Sequence, residues 1–222
     1  MNYFRKIIDR YGIYLILALG IVLRIAKLRY SYFGPINELA RDLIVNYNFV
    51  FEKQIPLLGP SASLGGFNFG AFYYYLMAPF LWLSNYYAWG AVALSTFFSI
   101  LQILLIYLLV KLWFENKKVA LVSAFISAIC MVDIQNAYYV SNPNPMPFFL
   151  LLFFYSLTLI IQGRYLLLNS IIAGLSLGLV TQLHGTALLI IPLCYLVVLF
   201  IYRRRIRVKF IILTILTAAF TY

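Results

Sequence analysis

Residues 87–113 read YAWGAVALSTFFSILQILLIYLLVKLW, with no charged side chain before Lys111. A helix needs roughly 20 apolar residues to cross a hydrocarbon core about 30 Å thick, and this run exceeds that length. Reading outward from it for runs of the same character predicts further spans at approximately 11–29, 118–138, 146–163, 165–182 and 185–202. A seventh apolar run opens near Phe210 and is still apolar at Tyr222. Its length falls short of the ~20 residues a crossing needs, so either the chain continues past Tyr222 or it is a truncated product whose last segment cannot span unaided. The expected fold is an all-α, polytopic membrane protein with about seven transmembrane helices, residues 1–222 forming one membrane domain.

Composition supports the same class. Hydrophobic residues make up 64% of the chain and charged residues 10%. Soluble domains hold roughly 45–50% apolar and about 25% charged residues, so a soluble globular domain is excluded. The net charge of +11 raises nucleic acid as a partner, but the placement of the basic residues removes it. With the N-terminus inside, 12 of the 17 Lys and Arg residues fall at cytoplasmic positions: Arg5, Lys6, Arg10, Lys111, Lys117, Lys118, Arg164, Arg203, Arg204, Arg205, Arg207 and Lys209. Short cytoplasmic loops are enriched in Lys and Arg, so this basicity orients the protein in a cell membrane. Arg24, Lys27, Arg29, Arg41 and Lys53 fall outside, as do Glu38, Asp42, Glu52 and Asp133. Residues 1–22 have the charge order of a signal peptide. Arg24 follows, however, and no small-residue cleavage site appears, which favours a retained anchor. Cys130 and Cys194 lie within expected spans, where a thiol acts as a small hydrophobe.

The longest stretch outside the spans is a first outer loop over residues 30–86, rich in Gly and Pro. Within it Ile36, Leu39, Ala40, Leu43, Ile44 and Tyr47 recur at helical spacing, with Asn37, Glu38, Arg41, Asp42 and Asn46 on the opposite stripe. This pattern predicts an amphipathic helix lying at the interface, with Glu38, Arg41 and Asp42 sharing one patch. Residues 70–85 are apolar and aromatic but too short to span, and they predict a second interfacial helix. The glycine-rich run from Leu58 to Gly70 could bring backbone N–H groups near an anionic headgroup.

Candidate chemistry gathers on that outer side. Glu38, and with less weight Asp42, is a candidate general base, set against a solvated helix face in which Glu38 pairs with Arg41. Asn142 and Asn144 lie in the run Ser141-Asn142-Pro143-Asn144-Pro145, where Asn144 and Pro145 also suit a helix N-cap and first turn. Gln182 and His184 sit at a span junction and fit either a substrate phosphate or hydroxyl, or local hydrogen bonding. Arg24 either snorkels or anchors a lipid phosphate. No tight metal constellation stands out, although a divalent ion held by Glu38, Asp42 or Asp133 stays open.

The combination of Asn37-Glu38-Leu39-Ala40-Arg41-Asp42, Pro56-Leu57-Leu58-Gly59-Pro60, Gly65-Gly66, Tyr73-Tyr74-Tyr75 and Pro79-Phe80-Leu81-Trp82-Leu83 resembles the opening of GT-C glycosyltransferases. It is most similar to the bacterial branch related to protein O-mannosyltransferases and lipid A aminoarabinose transferases. Asn142-Pro143-Asn144-Pro145 and Gln182-Leu183-His184 resemble later landmarks of that branch. The resemblance implies transfer of a sugar, usually with inversion, from a polyprenyl-phosphate donor to a lipid, glycan or protein acceptor outside the membrane. It implies that Glu38 is the catalytic base or a substrate-orienting group, at a position where many members carry Asp or an Asp-Glu pair. Arg24, Arg41 and His184 would offset charge on the departing phosphate. Some relatives place an acid near Asn144, so Asn here implies substrate orientation. The competing classes are a transporter or lipid-handling protein without chemistry, and an inactive glycosyltransferase fragment.

Overall fold

The computed structural model describes residues 2–26, 28, 36–62, 66–203 and 205–221. Lys27, Arg29, Gly65, Arg204 and Tyr222, named above, lie outside the described residues. In chain order the elements are α1 (Asn2–Ile25), α2 (Ile36–Val50), β1 (Leu58–Ser61), β2 (Asn68–Gly70), α3 (Phe72–Leu83), α4 (Trp89–Phe114), α5 (Lys117–Ile129) and α6 (Met131–Ala137). They continue with α7 (Met146–Ile161), α8 (Leu166–Leu183), α9 (Gly185–Tyr202) and α10 (Val208–Ala219). The protein is a mostly helical membrane protein. Three helices, α4, α8 and α9, are long and apolar enough to cross a bilayer, or four spans if the bent pair α5–α6 counts as one. α9 leaves Ile190, Leu193, Leu196, Phe200 and Ile201 exposed, an apolar surface of the kind that lipid covers.

The long helices run alternately up and down. Phe98 packs on Phe148 and Phe149 while Trp113 Nε1 donates to Thr158 Oγ1 at 3.0 Å, so α4 and α7 point the same way. α5, α8 and α10 return in the opposite direction. Between apolar helices in lipid there is little hydrophobic drive, so close van der Waals packing must supply it. α8 meets this need with Gly174, where a Cβ would collide with Thr217 Oγ1 of α10. One end of the bundle thereby gathers the ends of α6 and α8 and the starts of α7 and α9. The other carries Lys111, Lys117, Lys118, Arg164, Arg203, Arg205, Arg207 and Lys209.

The expected span 118–138 is interrupted. The chain turns by 55° between α5 and α6 at Cys130, whose φ of −61° and ψ of 116° are extended. Arg24 explains how the break is tolerated. Its side chain is fully buried, donating from Nε to Ser99 Oγ at 2.8 Å, from Nη1 to Ala128 O at 2.8 Å and from Nη2 to Ser127 O at 3.0 Å. Helix ends leave their last carbonyls without intrahelical donors, and the guanidinium supplies those donors from α1. Arg24 neither snorkels nor faces a lipid phosphate.

The outer segment also departs from expectation. α2 forms where the periodicity placed it, but its buried face mixes the two stripes: Leu39 and Leu43 pack into the core, while Asn37 and Glu38 are exposed. Asp42 and Asn46 are buried at 4% and 0% exposure, whereas Ile44 and Tyr47 of the apolar stripe are 61% and 49% exposed. On this face Asn46 Nδ2 donates to the Asp42 carbonyl at 3.0 Å and to Met77 Sδ at 3.4 Å, while its Oδ1 is buried without a partner. α3 packs closely, with Tyr73, Tyr74, Met77 and Leu81 in the core alongside residues of α4, α7 and α8. Between them β1 and β2 form an antiparallel hairpin, Leu58 opposite Gly70 and Ser61 opposite Asn68. Gly and Pro are disfavoured in strand interiors, so LGPS and NFG carry little strand signal. A Cβ at Gly70 would collide with the Gln182 side chain, and its absence lets the hairpin seat on α8.

Candidate functional site

Where α2, the hairpin, the segment before α7 and the α8–α9 junction meet, they enclose a cleft of ≈ 370 Å³. Glu38 and Arg41 line it from α2, Ser61, Phe67 and Phe69 from the hairpin region, Asn142 from the loop, and His184 and Thr186 from the junction. Four of the eight residues expected to form the site, Glu38, Arg41, Asn142 and His184, are therefore brought together from three distant stretches of chain.

The two carboxylates of α2 have different surroundings. Asp42 is buried behind the cleft, and its Oδ1 accepts from Arg41 Nε at 2.9 Å and from Tyr74 OH at 3.1 Å. Adjacent helical residues do not normally face one another, so the Arg41 side chain must wrap along the helix to make this contact. It is the one ion pair among the described residues, and it replaces the expected Glu38–Arg41 pair. The same arginine donates from Nη1 to Ser61 Oγ at 3.3 Å, which fixes the guanidinium at the cleft wall. Burial raises the Asp42 carboxyl above the ordinary carboxylate range, opposed by the Arg41 hydrogen bond. Burial, with the Asp42 charge added, pushes the Tyr74 phenol up, so Tyr74 stays a donor. Glu38 is exposed at the cleft.

His184 separates α8 from α9 with an extended backbone, φ −158° and ψ 137°. Its Nδ1 accepts from Thr186 N–H at 3.3 Å and lies 2.7 Å from Thr186 Oγ1, which makes it the N-cap of α9. With Nδ1 accepting, the neutral ring carries its proton on Nε2. The ring stacks on Phe69, with centroids 6.3 Å apart and planes 18° apart. Asn142 supports the junction from the other side, its Nδ2 donating to Leu183 O at 2.7 Å and occupying a carbonyl at the end of α8.

The remaining expected residues lie elsewhere. Arg24 is spent on the α5–α6 break. Asn144 does not cap α7, whose N-cap is Pro145; its Nδ2 instead donates to Ser95 Oγ at 3.3 Å, Asn136 O at 3.1 Å and Tyr139 O. Gln182 is buried and donates to Thr221 O, tying α8 to the end of α10. Among the described residues, no three His, Cys, Asp or Glu side chains gather. Asp133 lies in a second cavity, so Glu38, Asp42 and Asp133 do not form one donor set. Residues not anticipated are Tyr74, Ser61, Phe69 and Thr186. Thr186, two positions after a helix-breaking histidine, was detectable as a capping partner. Tyr74 was hidden in an aromatic run that reads as an interfacial belt.

The sequence model of the dolichyl-phosphate-mannose-protein mannosyltransferase family matches residues 70–222. The chain belongs to this family. Its membership makes the protein a membrane glycosyltransferase of the GT-C type. Comparisons with curated proteins and with solved structures return no match. The mannosyltransferase match starts at the last residue of β2 and runs through α3 to α10, so it includes Tyr74, Asn142 and His184. Glu38, Arg41 and Asp42 precede it.

Proposed function

We propose that the protein transfers a sugar from a polyprenyl-phosphate carrier to an acceptor hydroxyl on the outer side of a cell membrane, inverting the anomeric centre, with Glu38 as base. The observation that carries this reading is the convergence of Glu38, Arg41 and His184 on one cleft. The family description supports the donor and acceptor classes, since it names a mannose linked to dolichyl phosphate and a protein.

In this reading seven crossings are made by α1, α4, the α5–α6 pair, α7, α8, α9 and α10. The basic end lies in the cytoplasm under the positive-inside rule, which puts the cleft and the N-terminal anchor's far end outside. Glu38 accepts the proton of the acceptor hydroxyl as its oxygen bonds to the anomeric carbon. The bond from that carbon to the phosphate oxygen breaks, and the electron pair leaves on the lipid phosphate. Arg41, held by Asp42 and Ser61, and the Nε2–H of His184 meet the charge that develops there. Asp42 acts through Arg41 and Asn142 through the α8–α9 junction, so both are positioning residues. Preorganised donors of this kind need no reorientation during the reaction.

General-base catalysis contributes about 10²–10⁴-fold. Glu38→Gln is therefore expected to lower mannosyl transfer from polyprenyl-phosphate mannose by that factor. Because Glu38 is exposed, its thermal midpoint in detergent should match the wild type. Transfer retained at the wild-type rate overturns the assignment.

A further inference from the structure

Beside the cleft lies a second cavity, of ≈ 360 Å³, bounded by α4, α6 and the segment leading into α7. α4 is largely apolar, yet Ser95, Ser99 and Gln102 recur at i, i+4 and i+7 and so share one face. That face lines the cavity opposite Asp133 and Asn136 of α6, themselves one turn apart. Polar residues within membrane helices are costly and mark functional sites. The volume falls within the roughly 300–1,000 Å³ typical of small-molecule sites.

The bonds to the Asp133 carboxylate are long. Gln102 Nε2 donates to Asp133 Oδ2 at 3.4 Å and Ser127 Oγ does so at 3.5 Å. Contacts at these lengths are weak, and a carboxylate has about four acceptor sites, so Asp133 retains capacity for a ligand's donors. No Lys or Arg lines the cavity, and Arg24 behind it is committed to Ser99, Ser127 and Ala128. The Arg24 guanidinium, bonded to Ser99 on the cavity wall, balances the Asp133 charge, so the site has no net charge to hold an ion, and its amides and hydroxyls match a ring of hydroxyl groups. Ser141 and Pro143 line both this cavity and the Glu38 cleft, so the two sites share a wall.

We infer that this cavity binds the uncharged, polyhydroxylated ring of a sugar, with Asp133 as its main hydrogen-bond acceptor. The inference rests on the glycosyl-transfer reading, and the sugar belongs either to the donor or to the acceptor. Saturation-transfer NMR on the full chain in detergent, with methyl α-D-mannopyranoside as probe and glucuronate as the anionic control, tests binding without turnover. The expected result is transfer to the mannoside and none to glucuronate. The signal should persist in Glu38→Gln, and be lost in Asp133→Asn and in Asn136→Leu, which fills the cavity from an exposed position. Equal signal in all variants, or none in the wild type, overturns the inference. In the transfer reaction Asp133→Asn should raise KM about tenfold for the substrate that carries the ring, the donor or the acceptor, with kcat retained. Wild-type KM for both substrates overturns the cavity assignment and leaves the function standing. Mannoside binding without transfer from any polyprenyl-phosphate donor supports the cavity and overturns the function.

Discussion

Two arginines do opposite work at the same end of the molecule. Arg24 is fully buried, and its donors end on Ser99 and on the last carbonyls of α5. Arg41 is about one third exposed, pinned by one carboxylate and one hydroxyl, and lines the cleft. A guanidinium whose hydrogen bonds end on backbone carbonyls holds a fold together. One clamped from behind by a carboxylate, with part of its surface open, is set for a ligand's negative charge. Both are expected from the sequence to meet phosphate, and what separates them is where each finds its partners.

The contrast breaks most visibly at Arg24. Arg24→Leu takes its donors from the Ala128 carbonyl and the Ser99 hydroxyl, and leaves Ser127 O with only the 3.4 Å bond from Cys130 N–H. The expected outcome is a fall in the thermal midpoint in detergent, on the order of 1–3 kcal/mol of lost stability for the carbonyl left unpaired. Arg24→Lys should recover only part of it, because one ammonium cannot span both the Ser99 hydroxyl and the carbonyl pair. An unchanged midpoint for Arg24→Leu would show that the α5–α6 break needs no donor from α1.

Arg41→Lys makes the complementary test. Lysine keeps the charge but loses the fork that reaches Asp42 and Ser61 at once. Removing one preorganised donor typically costs about 10²–10³ in kcat, so transfer should fall by roughly 100-fold with little change in thermal midpoint. If instead the midpoint collapses and the residual folded enzyme turns over normally, Arg41 is a strut like Arg24 and the comparison fails.

Much of this architecture is legible from apolar run length. The run 185–202 coincides with α9, and 87–113 lies within two residues of α4 at each end. The interruption at Cys130 is not legible, because it falls within Ser-Ala-Ile-Cys-Met-Val, where neither Gly nor Pro announces a turn. The donors that satisfy it come from Arg24, over 100 residues away. The periodicity of α2 is legible, while the face it buries is not. In water the whole apolar stripe would turn inward, but next to lipid an exposed Ile44 costs little, so the buried face can combine Leu39 with Asp42 and Asn46. Glu38, Arg41 and His184 are legible as chemistry-bearing residues. Their convergence depends on a hairpin whose Gly and Pro content hides it.

The smallest and most selective prediction concerns Asp42, which stands behind Arg41. Its carboxyl is raised above the ordinary range chiefly by burial, so the folded state holds this proton more tightly than the unfolded chain does. The sign follows from linkage: stability from this group is greatest below the ordinary carboxylate pKa and is lost as pH rises through the raised folded value. In thermal melts taken across that window, the wild-type midpoint should decline with pH. Asp42→Asn, which cannot ionise and still accepts from Tyr74, should stay flat over the same interval. Subtracting one curve from the other isolates the group from every other carboxylate in the chain. A difference that instead grows in favour of the wild type as pH rises would mean the Arg41 ion pair outweighs burial. Asp42 would then stabilise the fold as well as position the arginine, and the division between a structural Arg24 and a functional Arg41 would have to be redrawn around their partners.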